Sequence, residues 1–312
     1  MTKILTLKDL PIEEETACTV GNFDGLHTGH REILKRLKEI SKKENLKSLT
    51  VTFNPHPRKV LNPEKYNCSI VNLDTKVYLF ENEGLDFLLI IEFTNDFYKK
   101  SAYEFMEFLK YSLNCKVLIV GKDWKFGYKG EGNINYAKEV GEKLGIKVIS
   151  VEDITLNNSR ISSSFIRELL KKGDLENVSK LLGRKYFLIE KVVKGDGKGK
   201  EIGFPTINLK PDEDLCLRKG VYAGFLEKDA QIYKAVINFG NRPTVDGSKT
   251  FIEVHLLQKP HKFPEENEKV KIYFIKYLRE ERKFDSIDSL KNQIKLDIQI
   301  ALEVLEREKA NL

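Results

Sequence analysis

The chain has 312 residues, of which 41% are hydrophobic, and this length suits two packed domains of ordinary size better than one. The net charge is +6, but cations and anions are interspersed without a basic block, so the charge favours anionic small molecules and does not indicate a nucleic-acid polymer. The first residues hold too short an apolar run for a signal peptide, and no stretch is apolar enough to span a membrane. We therefore expect a cytoplasmic protein.

The four cysteines, Cys18, Cys68, Cys115 and Cys216, are scattered along the chain without a C-x-x-C pair. Zinc sites and small disulfide frameworks show characteristic close spacings, which are missing here. The pattern therefore predicts four free thiols in a reducing compartment.

Up to about residue 155, short β-rich runs alternate with helical patterns. The predicted strands are Ala17–Val20, Leu49–Phe53, Phe87–Ile91, Val117–Val120 and Val148–Val151. Helices are predicted after the first strand, where Ile33, Leu34, Leu37 and Ile40 share a face, and over Ser101–Leu113 and Ile134–Leu144. This alternation predicts an α/β, Rossmann-like domain with a mostly parallel sheet, whose ligands bind at the carboxyl ends of the strands.

From about residue 160 the pattern changes. Two short helices, Ser162–Lys171 and Leu175–Leu182, are followed by strands at Tyr186–Val193, Val221–Leu226, Ile232–Phe239, Thr250–Leu256 and Val270–Ile275. Glycine- or proline-containing loops between the strands predict a small antiparallel β-barrel. A terminal helix is predicted from the apolar positions Leu290, Ile294, Ile298, Ala301, Leu302 and Leu305. We place the boundary between a domain of residues 1–183 and one of residues 184–312.

The strongest local signal is VGNFDGLHTGH at 20–30, between the first strand and the first helix. A helix N-terminus offers unpaired N–H groups and partial positive charge, which favour phosphate. His27 and His30 add donors for charge that develops on a phosphoryl group, and Gly29 permits close backbone approach. One loop histidine is commonly structural, but two in one glycine-punctuated turn favour a functional reading.

This H-x-G-H pattern resembles the signature of the nucleotidyltransferase superfamily, which also contains cytidylyltransferases and pantetheine-phosphate adenylyltransferases. Three further stretches narrow the resemblance: FNPHP at 53–57, GKDWKFG at 121–127 and RISSSFIR at 160–167. They fall at predicted strand ends or at a helix start, where a nucleotide site in this architecture draws its residues.

In order and spacing these stretches resemble the FAD synthetase module of bacterial bifunctional riboflavin kinase/FAD synthetases. The resemblance implies that His27 and His30 contact the ATP phosphates. It further implies a phosphate loop containing Asn22, Asp24 and Gly29, pyrophosphate contacts from Ser162, Ser163 and Arg167, and flavin contacts from Asp123, Trp124 and Phe126. The phosphate of FMN has a second pKa of about 6, so it is ionised near neutral pH and this reaction needs no strong base.

Structural alternatives stay open for several of these residues. Ser162 could be a helix N-cap, Arg167 a surface cation, and Trp124 and Phe126 core residues. The prolines of FNPHP could do no more than make a rigid turn.

The second half resembles the riboflavin kinase module of the same enzymes, through GDGKGKEIGFPTIN at 195–208, NFGNRPT at 238–244 and EVHL at 253–256. The glycines, Gly199 and Gly203 among them, form either a phosphate-cradling loop or a flexible hairpin. The resemblance implies that Thr206 and Asn208 bind Mg-ATP through oxygen atoms, which suits a hard cation.

A ribityl hydroxyl, unlike a phosphate, needs help to become a nucleophile, and kinases commonly supply a carboxylate. Strand alternation puts Glu253 on the same face as Phe251 and His255. A mid-strand glutamate is usually a solvated charge, but Glu253 matches the family's base position, so we predict that it is the catalytic base.

The sequence thus predicts an enzyme that phosphorylates riboflavin to FMN and adenylylates FMN to FAD, using Mg2+ and ATP. It predicts neither a nucleic-acid nor a membrane partner, and leaves the oligomeric state open. The alternatives are a single-activity FMN adenylyltransferase with a flavin-binding kinase-like domain, and a non-enzymatic flavin-sensing regulator.

Overall fold

The computed structural model describes residues 2–66, 68–152, 155–156, 159–195, 197–211, 214–244, 247–260 and 262–308. The chain divides into two compact units, one formed by Met1–Asn67 and Lys76–Ser162, the other by Cys68–Thr75 and Ser163–Leu312. Within the described ranges no helix is long and apolar enough to cross a membrane. The predicted division by activity at residues 183 and 184 stays a prediction.

The first unit is built on a parallel sheet. Its strands, in chain order, are β1 (Lys3–Leu5), β2 (Thr16–Val20), β3 (Lys47–Asn54), β4 (Phe87–Glu92), β5 (Cys115–Gly121) and β6 (Lys147–Val151). They lie in the order β1-β4-β3-β2-β5-β6, and each neighbouring pair is parallel. All five residues of β2 are buried, as expected for a central strand covered on both faces. A short antiparallel pair, β7 (Thr155–Leu156) and β8 (Ser159–Arg160), follows the sheet.

Helices connect the strands and confirm the predicted alternation. Up to Ser162 they are α1 (Thr28–Glu44), α2 (Pro57–Leu61), α3 (Leu73–Glu81), α4 (Asn95–Tyr98), α5 (Ala102–Glu107) and α6 (Ile134–Leu144). Helix α1 buries Leu34, Leu37 and Ile40 on the predicted face. The predicted helix Ser101–Leu113 is shorter than expected, because α5 passes at Phe108–Ser112 into a wider π-helical turn.

The second unit carries α7 (Ser163–Lys172) and α8 (Leu175–Leu182), then the predicted antiparallel barrel. Its strands are β9 (Tyr186–Val193), β10 (Ile207–Leu209), β11 (Gly220–Lys228), β12 (Gln231–Thr244), β13 (Gly247–Leu256) and β14 (Lys269–Arg279), with the short helix α9 (Lys198–Glu201) between β9 and β10. The barrel closes in the order β10-β13-β12-β11-β14-β9 because β9 also pairs with β10. Large aromatic side chains of these strands are fully buried, among them Tyr186, Tyr222, Phe225, Phe239 and Phe274.

The terminal helix α10 (Ile287–Glu306) is present as predicted and contacts β11, β12 and β14. Ala301 and Leu305 are buried on its inner face, together with the charged Asp297. Leu302, placed on that face by the sequence pattern, is 38% exposed.

The cysteine prediction was wrong for one pair. Cys68 and Cys216 form a disulfide across 148 residues of sequence, with Cα atoms 5.0 Å apart. The spacing along the chain gave no sign of it, because the fold brings the two segments together through the backbone hydrogen bond from Cys216 N–H to the Ser69 carbonyl, 2.9 Å. Cys18 and Cys115 are free and buried, as expected.

Candidate active sites

His27 and His30 lie at the start of α1, directly after the loop that follows β2. His27 is the N-cap, and its Nδ1 accepts a hydrogen bond from the backbone N–H of His30, 3.2 Å. The two imidazole rings stack, with centroids 3.5 Å apart and planes inclined by 16°. A neutral ring whose Nδ1 accepts carries its proton on Nε2. The cap therefore makes Nε2 of His27 the hydrogen-bond donor of the ring.

Gly29 leaves room for this ring pair. A Cβ at position 29 would lie 3.1 Å from Nδ1 and 3.2 Å from Cε1 of His27, closer than ordinary van der Waals contact. Any larger residue would therefore press on the imidazole that caps the helix. Glycine here serves the packing of His27 as well as the predicted approach of phosphate.

The loop between β2 and α1 is held in a compact, unusual conformation. Phe23, Gly25 and Leu26 all have positive φ angles, of 46°, 80° and 39°. Non-glycine residues adopt this region at a cost, so the surrounding packing must hold it. Phe23 and Leu26 are 3% and 0% exposed, and the Phe23 ring packs edge-on against His30, with centroids 5.1 Å apart.

Asn22 and Asp24 belong to the same loop. The hydroxyl of Thr52, on β3, donates to the backbone carbonyl of Asn22, 3.2 Å, and ties the loop to the neighbouring strand. Asp24 is 2% exposed. Asn22 and Asp24 thus lie in the loop that leads to the His27 cap, and Gly29 and His30 lie in the first turn of α1. Their contacts with ATP stay a prediction.

The predicted flavin residues follow β5, where the Trp124 N–H bonds to the Gly121 carbonyl, 3.0 Å. The rings of Trp124 and Phe126 stack, with centroids 4.2 Å apart and planes inclined by 15°. Phe126 is 7% exposed and packs in the core against Phe105, whereas Trp124 is half-buried and Asp123 is exposed. Of the two rings, Trp124 is thus the more exposed to solvent.

Ser162, Ser163 and Arg167 lie around the start of α7. Ser162 directly precedes the helix, Ser163 is its first residue, and Arg167 lies about one turn further on. All three side chains are half-buried. Ser162 is the last residue of the first unit, while Ser163 and Arg167 belong to the second.

In the barrel, a cavity of about 830 Å3 collects the predicted kinase residues. Gly199, Thr206, Asn208 and Glu253 all line it, together with Arg279 at the end of β14 and residues of α10. Gly203 is not among the lining residues and lies in an exposed turn, with a φ of 91°. The cavity is large enough for a drug-sized ligand or larger.

Glu253 lies in the middle of a polar row that crosses three strands. On one side it is opposite Asn208 of β10, and on the other it is opposite Asn238 of β12. Directly opposite residues of an antiparallel pair have Cβ atoms about 5 Å apart. The carboxylate is therefore flanked by two amides inside the cavity wall, and Glu253 is not a solvated edge charge.

Glycines hold the segment before β10 close to Thr206 and Asn208. A Cβ at Gly195 would overlap the amide of Asn208, and one at Gly199 would overlap the Phe204 carbonyl and lie 3.2 Å from Oγ1 of Thr206. Nδ1 of His255, on β13, is 2.8 Å from the carbonyl of Pro205 and fixes the same segment from the other side. Gly195 and Gly199 are thus required because a side chain at either position would collide with its neighbours.

Thr206 and Asn208 fit a magnesium ion that arrives with its nucleotide. They offer neutral oxygen atoms, and the described residues contain no cluster of three or more His, Cys, Asp or Glu side chains that could hold a metal by itself. Magnesium usually keeps several waters and combines few protein ligands with substrate phosphates.

An ion pair between β14 and α10 forms another part of the cavity wall. Arg279 donates from Nε to Oδ1 of Asp297, 2.9 Å, and from Nη2 to Oδ2, 2.7 Å. Asp297 is 3% exposed and also accepts from the side chain of Gln293, 2.8 Å. Burial and the bidentate geometry make this pair a specific attachment of α10 to the barrel.

Sequence reasoning missed Glu281, which lines the same cavity beyond the end of β14. Burial raises the pKa of its carboxyl, and the nearby charge of Glu253 adds to the rise. Hydrogen bonds from the Asn238 side chain and the Asn241 N–H, and the charge of Lys219, oppose it. The signal available was an acidic residue within LREER at 278–282, but such a run is usually solvated.

Two family models match the chain. The family described as FAD synthetase matches residues 9–165, and the family described as riboflavin kinase matches residues 182–305. The first match covers strands β2 to β6 of the parallel sheet with the histidine pair, and the second covers the barrel with Glu253.

Curated relatives match over nearly the whole chain. A bifunctional riboflavin kinase/FMN adenylyltransferase of Buchnera aphidicola is 34% identical and covers 93% of this chain and 94% of its own length. The protein of the same description from Haemophilus influenzae is 34% identical, with 91% and 92% covered. A solved Streptococcus pneumoniae structure described as a macrolide-efflux protein has a TM-score of 0.81 at 28% identity and covers 96% of this chain and 98% of that one. The chain belongs to the family of bifunctional riboflavin kinase/FMN adenylyltransferases.

Proposed function

We propose that this chain makes FAD in two steps, at two sites. The barrel, within residues 184–312, phosphorylates riboflavin to FMN with ATP. The parallel-sheet domain, residues 1–183, transfers an adenylyl group from ATP to FMN and releases pyrophosphate. The observation that supports the kinase activity is the cavity that Thr206, Asn208 and Glu253 line together. The observation that supports adenylyl transfer is the pair of stacked histidines at the start of α1.

In the kinase step, Glu253 accepts the proton of the ribityl hydroxyl as that oxygen attacks the γ-phosphorus of ATP. The bond from the γ-phosphorus to the bridging oxygen breaks, and ADP leaves. Thr206 and Asn208 hold Mg-ATP through side-chain oxygens, and Gly199, which lines the cavity, lets the backbone approach the phosphates. The magnesium ion neutralises phosphate charge when it is bound. In the strand register Glu253 lies between Asn208 and Asn238, and all three residues line the cavity.

In the adenylyl step, the nucleophile is the ionised phosphate of FMN, so no carboxylate base is required. His27 donates from Nε2 to an ATP phosphate oxygen, because its Nδ1 is occupied by the helix cap. His30 and the N–H groups of the first turn of α1 stabilise the charge that develops there. Gly29 keeps the His27 ring in place, and Asn22 and Asp24 shape the loop.

The remaining side chains bind the other groups of the two substrates. Ser162, Ser163 and Arg167 bind the leaving pyrophosphate, whose charge suits a guanidinium and hydroxyl donors. Asp123 and Trp124 contact the flavin, and Phe126 supports Trp124 from the core side. The ring stack gives a flat surface for an aromatic ligand.

The direct test supplies the wild-type chain with Mg-ATP and either riboflavin or FMN, and follows FMN and FAD by chromatography. The proposal predicts both conversions. FAD from FMN without any product from riboflavin would instead favour a single-activity adenylyltransferase. Tight, salt-sensitive nucleic-acid binding without turnover would favour a regulator.

The proposal assigns riboflavin, FMN and ATP as the small-molecule partners, with Mg2+ as the metal and no nucleic-acid or membrane partner. Both reactions consume ATP, which supports the expected cytoplasmic location. The interspersed charges that give a net +6 support anionic substrates over a polymer.

A further inference from the structure

The amide of Asn238 has one buried polar atom that makes no hydrogen bond with the part of the chain that the structure describes. Asn238 lies on β12, directly opposite Glu253, and both residues line the barrel cavity. Its Oδ1 is buried and has no hydrogen-bond partner among the described residues. Buried acceptors without a partner are rare and costly, so this atom calls for an explanation.

Glu281 determines which way this amide faces. Its carboxylate lies over Gly240, where a Cβ would overlap it, and it accepts hydrogen bonds from the Asn238 side chain and the Asn241 N–H. An ionised carboxylate only accepts, so the NH2 group of Asn238 must face Glu281. The Oδ1 atom must then point away from Glu281.

This orientation matters because the neighbouring residue is the proposed base. Glu253 and Asn238 are cross-strand neighbours, at a Cβ separation of about 5 Å. Adjacent hydroxyls of a polyol chain are a few ångströms apart, so a substrate whose terminal hydroxyl meets Glu253 brings its next hydroxyl near Asn238. That hydroxyl donates a proton to an acceptor, which Oδ1 is.

We propose that Oδ1 of Asn238 accepts a hydrogen bond from the ribityl hydroxyl adjacent to the one that reacts, and that Glu281 is a positioning residue that holds the amide in this orientation. The inference rests on the proposed kinase function of the barrel. It makes Asn238 a determinant of specificity for a hydroxylated flavin side chain. A site built to bond a hydroxyl discriminates against an analogue that lacks it, because the protein acceptor is then left without a partner.

The test compares riboflavin with 4′-deoxyriboflavin, in which only that hydroxyl is missing. Two readouts are taken for each flavin: kcat/KM for phosphorylation and the dissociation constant from flavin fluorescence. In the wild type we expect the deoxy analogue to lose about tenfold or more in kcat/KM. In Asn238→Ala and in Glu281→Gln, the kcat/KM for riboflavin divided by that for 4′-deoxyriboflavin should fall towards one. The KM for ATP should stay within about twofold of the wild-type value.

Glu281→Gln keeps the size of the side chain but can present either a carbonyl or an NH2 group to Asn238, so it frees the amide to turn. Glu280→Gln is the matched control, because Glu280 is its sequence neighbour, is 73% exposed and pairs with Arg218. The control should keep the wild-type ratio. Circular dichroism and thermal unfolding of each full-length variant, compared with the wild type, report whether the barrel is folded.

A wild-type ratio near one would overturn the proposal, and so would variants that lose activity equally on both flavins and keep the wild-type ratio. Failure of the underlying function looks different. The wild type would then bind riboflavin without phosphorylating it, and a preserved preference for riboflavin in the dissociation constants would still support the Asn238 contact.

Discussion

In the proposed function, the loop before α1 and the barrel cavity both bind ATP but use different side chains. The first uses a helix N-terminus, a tight glycine-containing loop and two stacked imidazoles, with His27 buried as an N-cap. The second places Glu253 and Glu281 in one cavity and flanks Glu253 with amides. The difference follows the nucleophile. A phosphate arrives ionised and needs only positioning, whereas a hydroxyl must lose a proton.

This comparison predicts that a substitution at one site abolishes one activity and spares the other. The largest effect is expected at Glu253, the proposed catalytic base in the barrel. Glu253→Gln should lower riboflavin phosphorylation about 10²- to 10⁴-fold, because an amide cannot accept the hydroxyl proton. The rate of FAD formation from FMN should stay within about twofold. Initial rates with each flavin measure both effects.

Glu265→Gln offers a matched control, since Glu265 is an exposed barrel glutamate whose carboxylate pairs with Lys262. It should leave both rates unchanged. Equal loss of the two activities in Glu253→Gln would contradict the base assignment.

His30→Ala is the corresponding change in the parallel-sheet domain. It removes the ring stacked on His27 and a donor for the phosphates, so FAD formation should fall about 10²-fold. Riboflavin phosphorylation by the same preparation serves as the internal control and should be preserved. An unchanged rate of FAD formation would exclude a contact between His30 and the reacting phosphates.

Gly29→Ala should have a smaller effect at the same site. The added methyl group would lie 3.1 Å from Nδ1 of His27, so the ring must shift and the helix cap weakens. We expect a loss of about tenfold in kcat/KM for adenylyl transfer, with riboflavin phosphorylation intact. A wild-type value would show that the position of the His27 ring is not critical.

The smallest predicted effect concerns Lys219, near the barrel cavity. Burial lowers its pKa from 10.5 to about 8, against the opposing charges of Glu281 and Asp214. Between those pH values the folded chain has released a proton that the unfolded chain keeps, so this group makes the free energy of unfolding rise with pH. The contribution is lost as pH falls through about 8.

Lys219→Met should remove this rise. Denaturant unfolding at about pH 7 and about pH 10 should give a smaller increase, or larger decrease, for the variant than for the wild type. Lys276→Met, which removes an exposed lysine of β14, should leave the difference unchanged. Identical pH dependence in Lys219→Met and the wild type would show that Lys219 does not titrate in that window.

Much of the fold could be predicted because hydrophobic periodicity is a local signal. The limits of α6, α8 and β9 match the sequence patterns residue for residue. The strands β1 and β10, three residues each, are too short to show a period and were missed. The turn after α5 was predicted as regular helix, because side-chain patterning does not distinguish a π-helical turn from an α-helix.

What the sequence could not reveal depends on contacts between distant residues. The Cys68–Cys216 disulfide joins segments 148 residues apart. The row of Asn208, Glu253 and Asn238 is likewise set by strand register. The sequence motifs contain Asn208, Asn238 and Glu253 but do not show that the three are neighbours. The orientation that Glu281 imposes on Asn238 is likewise visible only in the structure.

The central claim is that one chain contains two independent active sites linked by free FMN. Mixing Glu253→Gln with His30→Ala, in the presence of riboflavin and Mg-ATP, tests it most directly. Each variant alone should make little FAD from riboflavin, while the mixture should accumulate FMN briefly and then form FAD. A mixture that forms FMN but no FAD, or neither product, would contradict the account.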